Sequence, residues 1–129
     1  MTKKKILLVD DEPDIVKAVQ IRLTEANYEV IVANDGQEAL DKAYKEIPDL
    51  IILDLMLPKV DGHKVCGLLK SNTKYNKIPI IIFTAKAQQE DMKISKEVGA
   101  DAYITKPFDS RRLLSQVEEL LNRQVQESQ

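Results

Sequence analysis

The chain has 129 residues, a formal net charge of −2 from 19 basic and 21 acidic side chains, and a single cysteine. That length suits one domain with its own core, and the slightly acidic balance gives no sign of nucleic acid or an anionic membrane as a direct partner. One cysteine excludes an internal disulfide framework and fits a reducing cytoplasm, and no apolar run approaches the ~18 residues of a membrane span.

The first apolar run, Ile6 to Val9, follows three lysines and is too short for a signal peptide. It reads as a strand with a solvated amino-terminal flank, and it ends on three acids, Asp10, Asp11 and Glu12. Pro13 follows at a position suited to the first turn of a helix. Ile15, Ala18, Val19, Arg22 and Leu23 then recur at helical spacing up to Asn27. Tyr28 to Ala33 is the second strand. Asn34 or Asp35 caps the second helix, with Gln37 or Glu38 three residues on, and Ala39, Leu40, Ala43 and Tyr44 form its apolar face.

Leu50 to Leu53 is a short unbroken apolar run, the pattern of a strand buried on both faces of a parallel sheet. It stops on one acid, Asp54, before Pro58 and Gly62 interrupt the chain. The third helix runs from about His63 to Lys70, with Val65, Leu68 and Leu69 facing the core and Cys66 read as a buried small hydrophobe. His63 beside the turn is expected at the surface or partly buried. A fourth strand, Ile80 to Phe83, ends at Thr84. Ala87 to Val98 is the least amphipathic helix and stops at Gly99, a left-handed cap. Ala102 to Ile104 is a short fifth strand, followed by Lys106-Pro107. Asp109 caps a last helix with a stripe of Leu113, Leu114, Val117, Leu120 and Leu121. One domain over residues 1–123 is expected, with a polar, frayed tail over 124–129.

Five strands alternating with five helices predict an α/β fold, a doubly wound parallel sheet with helices on both faces. Parallel strands bring their carboxyl ends to one edge, where ligands bind in open sheets. Four of the five ends carry chemistry: Asp10-Asp11, Asp54, Thr84 and Lys106. Carboxylates gathered there repel one another and call for a cation. An all-oxygen set without histidine or cysteine suits a hard ion such as Mg²⁺. A metal, an ammonium and a hydroxyl around one carboxylate are what phosphoryl transfer requires, and a carboxylate can itself accept the group.

Val9-Asp10-Asp11-Glu12, Asp54-Leu-Met-Leu-Pro58 with Asp61-Gly62, Thr84-Ala85 and Tyr103-Ile-Thr-Lys106-Pro107-Phe108 together resemble a response-regulator receiver domain of two-component systems. The similarity runs from Lys3 to about Leu121, with the motifs in the family's order. The resemblance implies a flavodoxin-like (βα)5 sandwich with strand order 2-1-3-4-5. It implies that Asp54 accepts a phosphoryl group from the phosphohistidine of a sensor histidine kinase or phosphotransfer protein. It assigns Mg²⁺ to Asp11, Asp54 and the Met56 carbonyl, with Asp10 reaching the ion through water. Lys106, the Thr84 hydroxyl and the Ala85 amide would hold the phosphoryl oxygens, and Tyr103 would change rotamer with Thr84. The Lys106-Pro107 bond would be cis.

The implied protein is a switch and not an enzyme, with an effector binding the face formed by the fourth helix, fifth strand and fifth helix. Lys96 departs from the apolar residue common in the family, so the fourth helix is expected to dock loosely, with Ile94 facing solvent or a partner. Two other architectures share these residues. One is the input domain of a longer regulator with a DNA-binding or enzymatic output. The other, an aspartate-nucleophile phosphohydrolase, usually carries a second acid two residues after the nucleophile, where this chain has Met56.

Overall fold

The computed structural model describes residues 3–86 and 88–128. Strands β1 (Lys5–Val9), β2 (Glu29–Ala33), β3 (Leu50–Leu53), β4 (Ile80–Thr84) and β5 (Ala102–Thr105) alternate with helices α1 (Pro13–Glu25), α2 (Gly36–Glu46), α3 (Gly62–Lys70), α4 (Gln89–Glu97) and α5 (Ser110–Ser128). The strands form one parallel sheet in the order β2-β1-β3-β4-β5.

The continuous apolar runs follow from the pleat, because successive side chains leave a strand on opposite faces. Leu7, Val9, Ile51, Leu53, Ile80 and Ile82 pack on one face with Ala39, Leu40 and Ala43 of α2 and Val65, Cys66 and Leu69 of α3. Ile6, Leu8, Leu50, Ile52, Ile81 and Phe83 pack on the other with Val19 and Leu23 of α1 and Leu113, Val117, Leu120 and Leu121 of α5. With a helix layer on each side, β1, β3 and β4 are apolar on both faces between their ends, with polar residues only at the ends, as Lys5 and Thr84 are.

Local chemistry sets the element ends. Pro13 opens α1, and Asn27 leaves it at φ 73°. Asp35 is the cap of α2: its carboxylate accepts from the Glu38 N–H at 2.8 Å, while Glu38 Oε1 accepts from the Asn34 N–H at 3.3 Å. Gly99 follows α4 at φ +99°. The Asp109 carboxylate accepts from the Arg111 N–H at 2.9 Å at the start of α5.

Several expectations need correction. Leu68 and Tyr44 are exposed, because each lies off the stripe that its helix turns to the sheet. Ile94 is half-buried and Lys96 is exposed. The fourth helix begins at Gln89, and Ala87, its expected start, lies outside the described residues. Helix α5 extends to Ser128, so the backbone of the polar tail is helical where fraying was expected; Gln129 lies outside the described residues.

Candidate phosphoacceptor site

The parallel register of β1 and β3 pairs Val9 with Leu53, so the next residue of each strand, Asp10 and Asp54, leaves the sheet at the same level. The Asp54 N–H still donates to the Val9 carbonyl at 3.0 Å, and the Asp10 N–H to that of Ala33 at 3.1 Å. Ladder bonds thus hold both acids at the carboxyl edge. Each then turns the chain with its own carboxylate: Asp10 Oδ1 accepts from the Glu12 N–H at 3.0 Å, and Asp54 Oδ1 from the Met56 N–H at 3.1 Å. Both side chains are buried.

The cation comes from β5. The Lys106 N–H donates to the Thr84 carbonyl at 2.8 Å, and the Lys106-Pro107 peptide is cis, as the resemblance implies. The Lys106 ammonium lies 2.8 Å from Asp10 Oδ2, 2.8 Å from Glu12 Oε1 and 3.0 Å from Asp54 Oδ2. It also sits 5.3 Å from the centre of the Phe83 ring, which stacks edge-on against Phe108. Burial alone would lower the Lys106 pKa, but its close contacts with the Asp10, Glu12 and Asp54 carboxylates outweigh it and hold the ammonium above its usual range. Burial pushes the Asp10 carboxyl up, and the neighbouring Asp54 adds to this against the pull of Lys106 and the Glu12 N–H.

Carboxylate oxygens of Asp10, Glu12 and Asp54 converge within 4.8 Å of one another, a group able to hold a metal ion. Asp10 Oδ2 is a fitting donor because it is buried without a hydrogen-bond partner, although it stands in ion-pair range of Lys106. Three negative charges against one ammonium also leave room for a cation electrostatically. Asp11, which the resemblance assigns to the ion, is exposed and outside this convergent group. Glu12 is the member that sequence reasoning passed over; its signal was a third consecutive acid at a strand end.

Thr84 is wholly buried, and its Oγ1 accepts a long 3.4 Å bond from the Lys86 N–H. Ala85 beside it is exposed. Tyr103 is half-buried and donates its hydroxyl to the Lys86 carbonyl at 2.6 Å, so Thr84 and Tyr103 hold the same loop from two sides. Met56 is exposed at the mouth of the site. Two glycines let the loop between β3 and α3 close on it. A Cβ at Gly62 would run into the Asp54 carbonyl, and one at Gly36 into the Val60 carbonyl.

The order 2-1-3-4-5, with two buried acids and a lysine at the switch between β1 and β3, defines the doubly wound domains that bind at the carboxyl edge. The comparisons narrow the class to one family. The model of the response regulator receiver domain matches residues 6–118, and the chain belongs to that family. It is the receiver domain of a two-component response regulator, a phosphorylation-controlled switch.

The alkaline phosphatase synthesis transcriptional regulatory protein PhoP of Bacillus subtilis is 48% identical over 120 residues, which are 93% of this chain and 49% of that protein. This chain thus spans about half the length of that relative. A CheY-like receiver domain protein from Methanospirillum hungatei superposes with a TM-score of 0.92 at 32% identity, covering 98% of this chain and 99% of the other. The receiver domain of sensor histidine kinase PA1611 from Pseudomonas aeruginosa, solved with magnesium in its active-site cleft, superposes at 0.87 and 28% identity over 94% and 99% of the two chains. Among the described residues no helix is long and apolar enough to cross a membrane.

Proposed function

We propose that Asp54 is the phosphoacceptor and that a histidine kinase or phosphotransfer protein supplies the phosphoryl group from a phosphohistidine. The observation that carries this reading is the convergence of buried Asp54, buried Asp10 and the Lys106 ammonium at one strand edge. An Asp54 carboxylate oxygen attacks phosphorus, the O–P bond forms, and the P–N bond breaks with its electron pair staying on the imidazole nitrogen. Lys106 donates to a phosphoryl oxygen. The Thr84 hydroxyl and the Ala85 N–H donate to oxygens of the same group, fixing it as charge develops.

Mg²⁺ suits the donor set: Asp11, Asp54 and the Met56 carbonyl would hold it, with Asp10 reaching it through water. When bound, it supplies fixed positive charge that offsets the crowded carboxylates and the incoming phosphoryl oxygens. The magnesium in the cleft of the Pseudomonas receiver domain supports the choice of ion.

Drawing Thr84 toward the phosphoryl group takes its hydroxyl from the Lys86 N–H, and Tyr103 then turns inward as its tie to Lys86 is renegotiated. The output surface in this reading is α4, β5 and α5. Helix α4 supports it, since Ser95 is its one fully buried residue and little apolar packing resists its displacement. The similarity to a transcriptional regulator of about twice this length favours a receiver that controls transcription through an attached output segment.

The test is intact-mass measurement after incubation with acetyl phosphate and Mg²⁺. One added phosphoryl group is expected, absent without the metal and absent in Asp54→Asn. Equal modification of Asp54→Asn would overturn the assignment.

A further inference from the structure

Glu12 occupies the N-cap position of α1, yet its side chain makes no capping bond. Glutamate is not among the favoured cap residues, and Asp10 Oδ1 already takes the Glu12 N–H. The Glu12 carboxylate instead reaches across the chain to Lys106 at 2.8 Å. An ammonium carries three donors, and three carboxylates stand within 3.0 Å of this one. Glu12 and Asp54 accept hydrogen bonds from it and Asp10 faces its third side in ion-pair range, so a phosphoryl oxygen can reach Lys106 only where a carboxylate now stands. An incoming dianion must displace one acid.

Burial decides which acid leaves. The Asp10 and Asp54 side chains are 0% and 3% exposed and tied into the strand-end turns, whereas that of Glu12 is 56% exposed on a flexible stem. Only Glu12 can swing into water without leaving a buried charge unpaired. We propose that Glu12 is a positioning residue that occupies Lys106 in place of a phosphoryl oxygen, and that its displacement limits how fast Asp54 is phosphorylated. This rests on the reading of Asp54 as acceptor and Lys106 as the phosphoryl-binding cation.

With acetyl phosphate, an Asp54 oxygen bonds to phosphorus while the bond to acetate breaks, the acetate leaving with the electron pair. Lys106 exchanges the Glu12 carboxylate for a phosphoryl oxygen in the same event. Removing the competing charge speeds this exchange, and so does shortening its reach.

The experiment compares wild type, Glu12→Gln and Glu12→Asp at saturating Mg²⁺, following the rate of phosphorylation by acetyl phosphate with intact mass. Magnesium affinity is measured separately by calorimetry without the phosphodonor. Both variants are expected to react about three-fold faster than wild type, the scale of one partly exposed charge contact. Magnesium affinity should change less than the rate. Glu12→Asp keeps the charge but is one methylene short, so it separates contact with Lys106 from charge at a distance.

Rates no faster than wild type overturn the proposal. So does a fast Glu12→Gln beside a wild-type Glu12→Asp. Slower reaction with weakened Mg²⁺ binding also overturns it, assigning Glu12 to the metal. If wild type takes up no phosphoryl group, or Asp54→Asn takes up as much, the underlying reading fails instead. The exposed Glu12 side chain makes both variants compatible with folding.

Discussion

Ser95 of α4 and His63 of α3 share a 2.8 Å hydrogen bond, and Ser95 is 1% exposed. This is a polar tie in a helix with little other buried surface. His63 also directly follows Gly62, which packs on the backbone of Asp54. The bond therefore joins the helix beside the proposed acceptor to the proposed output helix.

His63→Leu leaves the Ser95 hydroxyl buried without its partner, at a cost of about 1–3 kcal/mol. Urea denaturation should report that loss, and Ser95→Ala in the same background should recover part of it, as coupled partners do. Amide exchange across residues 88–98 should accelerate more than in α1 or α5. Unchanged exchange in α4 would mean that the bond does not hold the helix.

Asp10 gives a stability prediction of opposite sign. Burial raises its folded pKa, so its favourable contribution is present below the unfolded pKa and lost as pH rises through the folded value. At neutral pH the ionised side chain is a liability in the metal-free protein. Asp10→Asn should raise the metal-free Tm by several degrees, corresponding to about 1 kcal/mol. The same substitution should shrink the upward shift in Tm that Mg²⁺ produces, since it deletes a donor. Calorimetric scans with and without Mg²⁺ measure both. A lower metal-free Tm would mean that the tie to Lys106 outweighs the repulsion.

Cys66 sets an alkaline limit. Burial pushes its thiol up to about 11, while the same group in the unfolded chain ionises near 9. Its contribution is complete below the unfolded value and is lost as pH rises toward the folded one. Two pKa units correspond to a loss of about 3 kcal/mol between those limits. Cys66→Ala should flatten the alkaline fall in stability by that amount, whatever its packing cost at neutral pH. Denaturant midpoints at pH 8 and pH 11 for both proteins make the comparison. The native thiol should also resist iodoacetamide at pH 8, because the thiolate is the nucleophile.

By itself the sequence determined the five strands, the five helices and the strand ends on which Asp10, Asp54, Thr84 and Lys106 stand. The buried strands are unbroken apolar runs over residues 6–9, 50–53 and 80–83 and turn polar at their carboxyl ends, a one-dimensional signal that needs no tertiary knowledge. The family motifs added the strand order and the roles expected of the acids. Tertiary structure decided which side chains meet. Leu68 and Leu69 are adjacent and equally apolar, yet the rotation of α3 on the sheet exposes the first and buries the second. Glu12 and Lys106 lie 94 residues apart, and only the packed fold brings them to 2.8 Å. His63 and Ser95 meet for the same kind of reason, since neither helix carries a local trace of the other. Local pattern encodes burial because each strand or helix face is exposed or covered as a unit. Pairing across the fold depends on reach and direction, which exist only once the layers have packed.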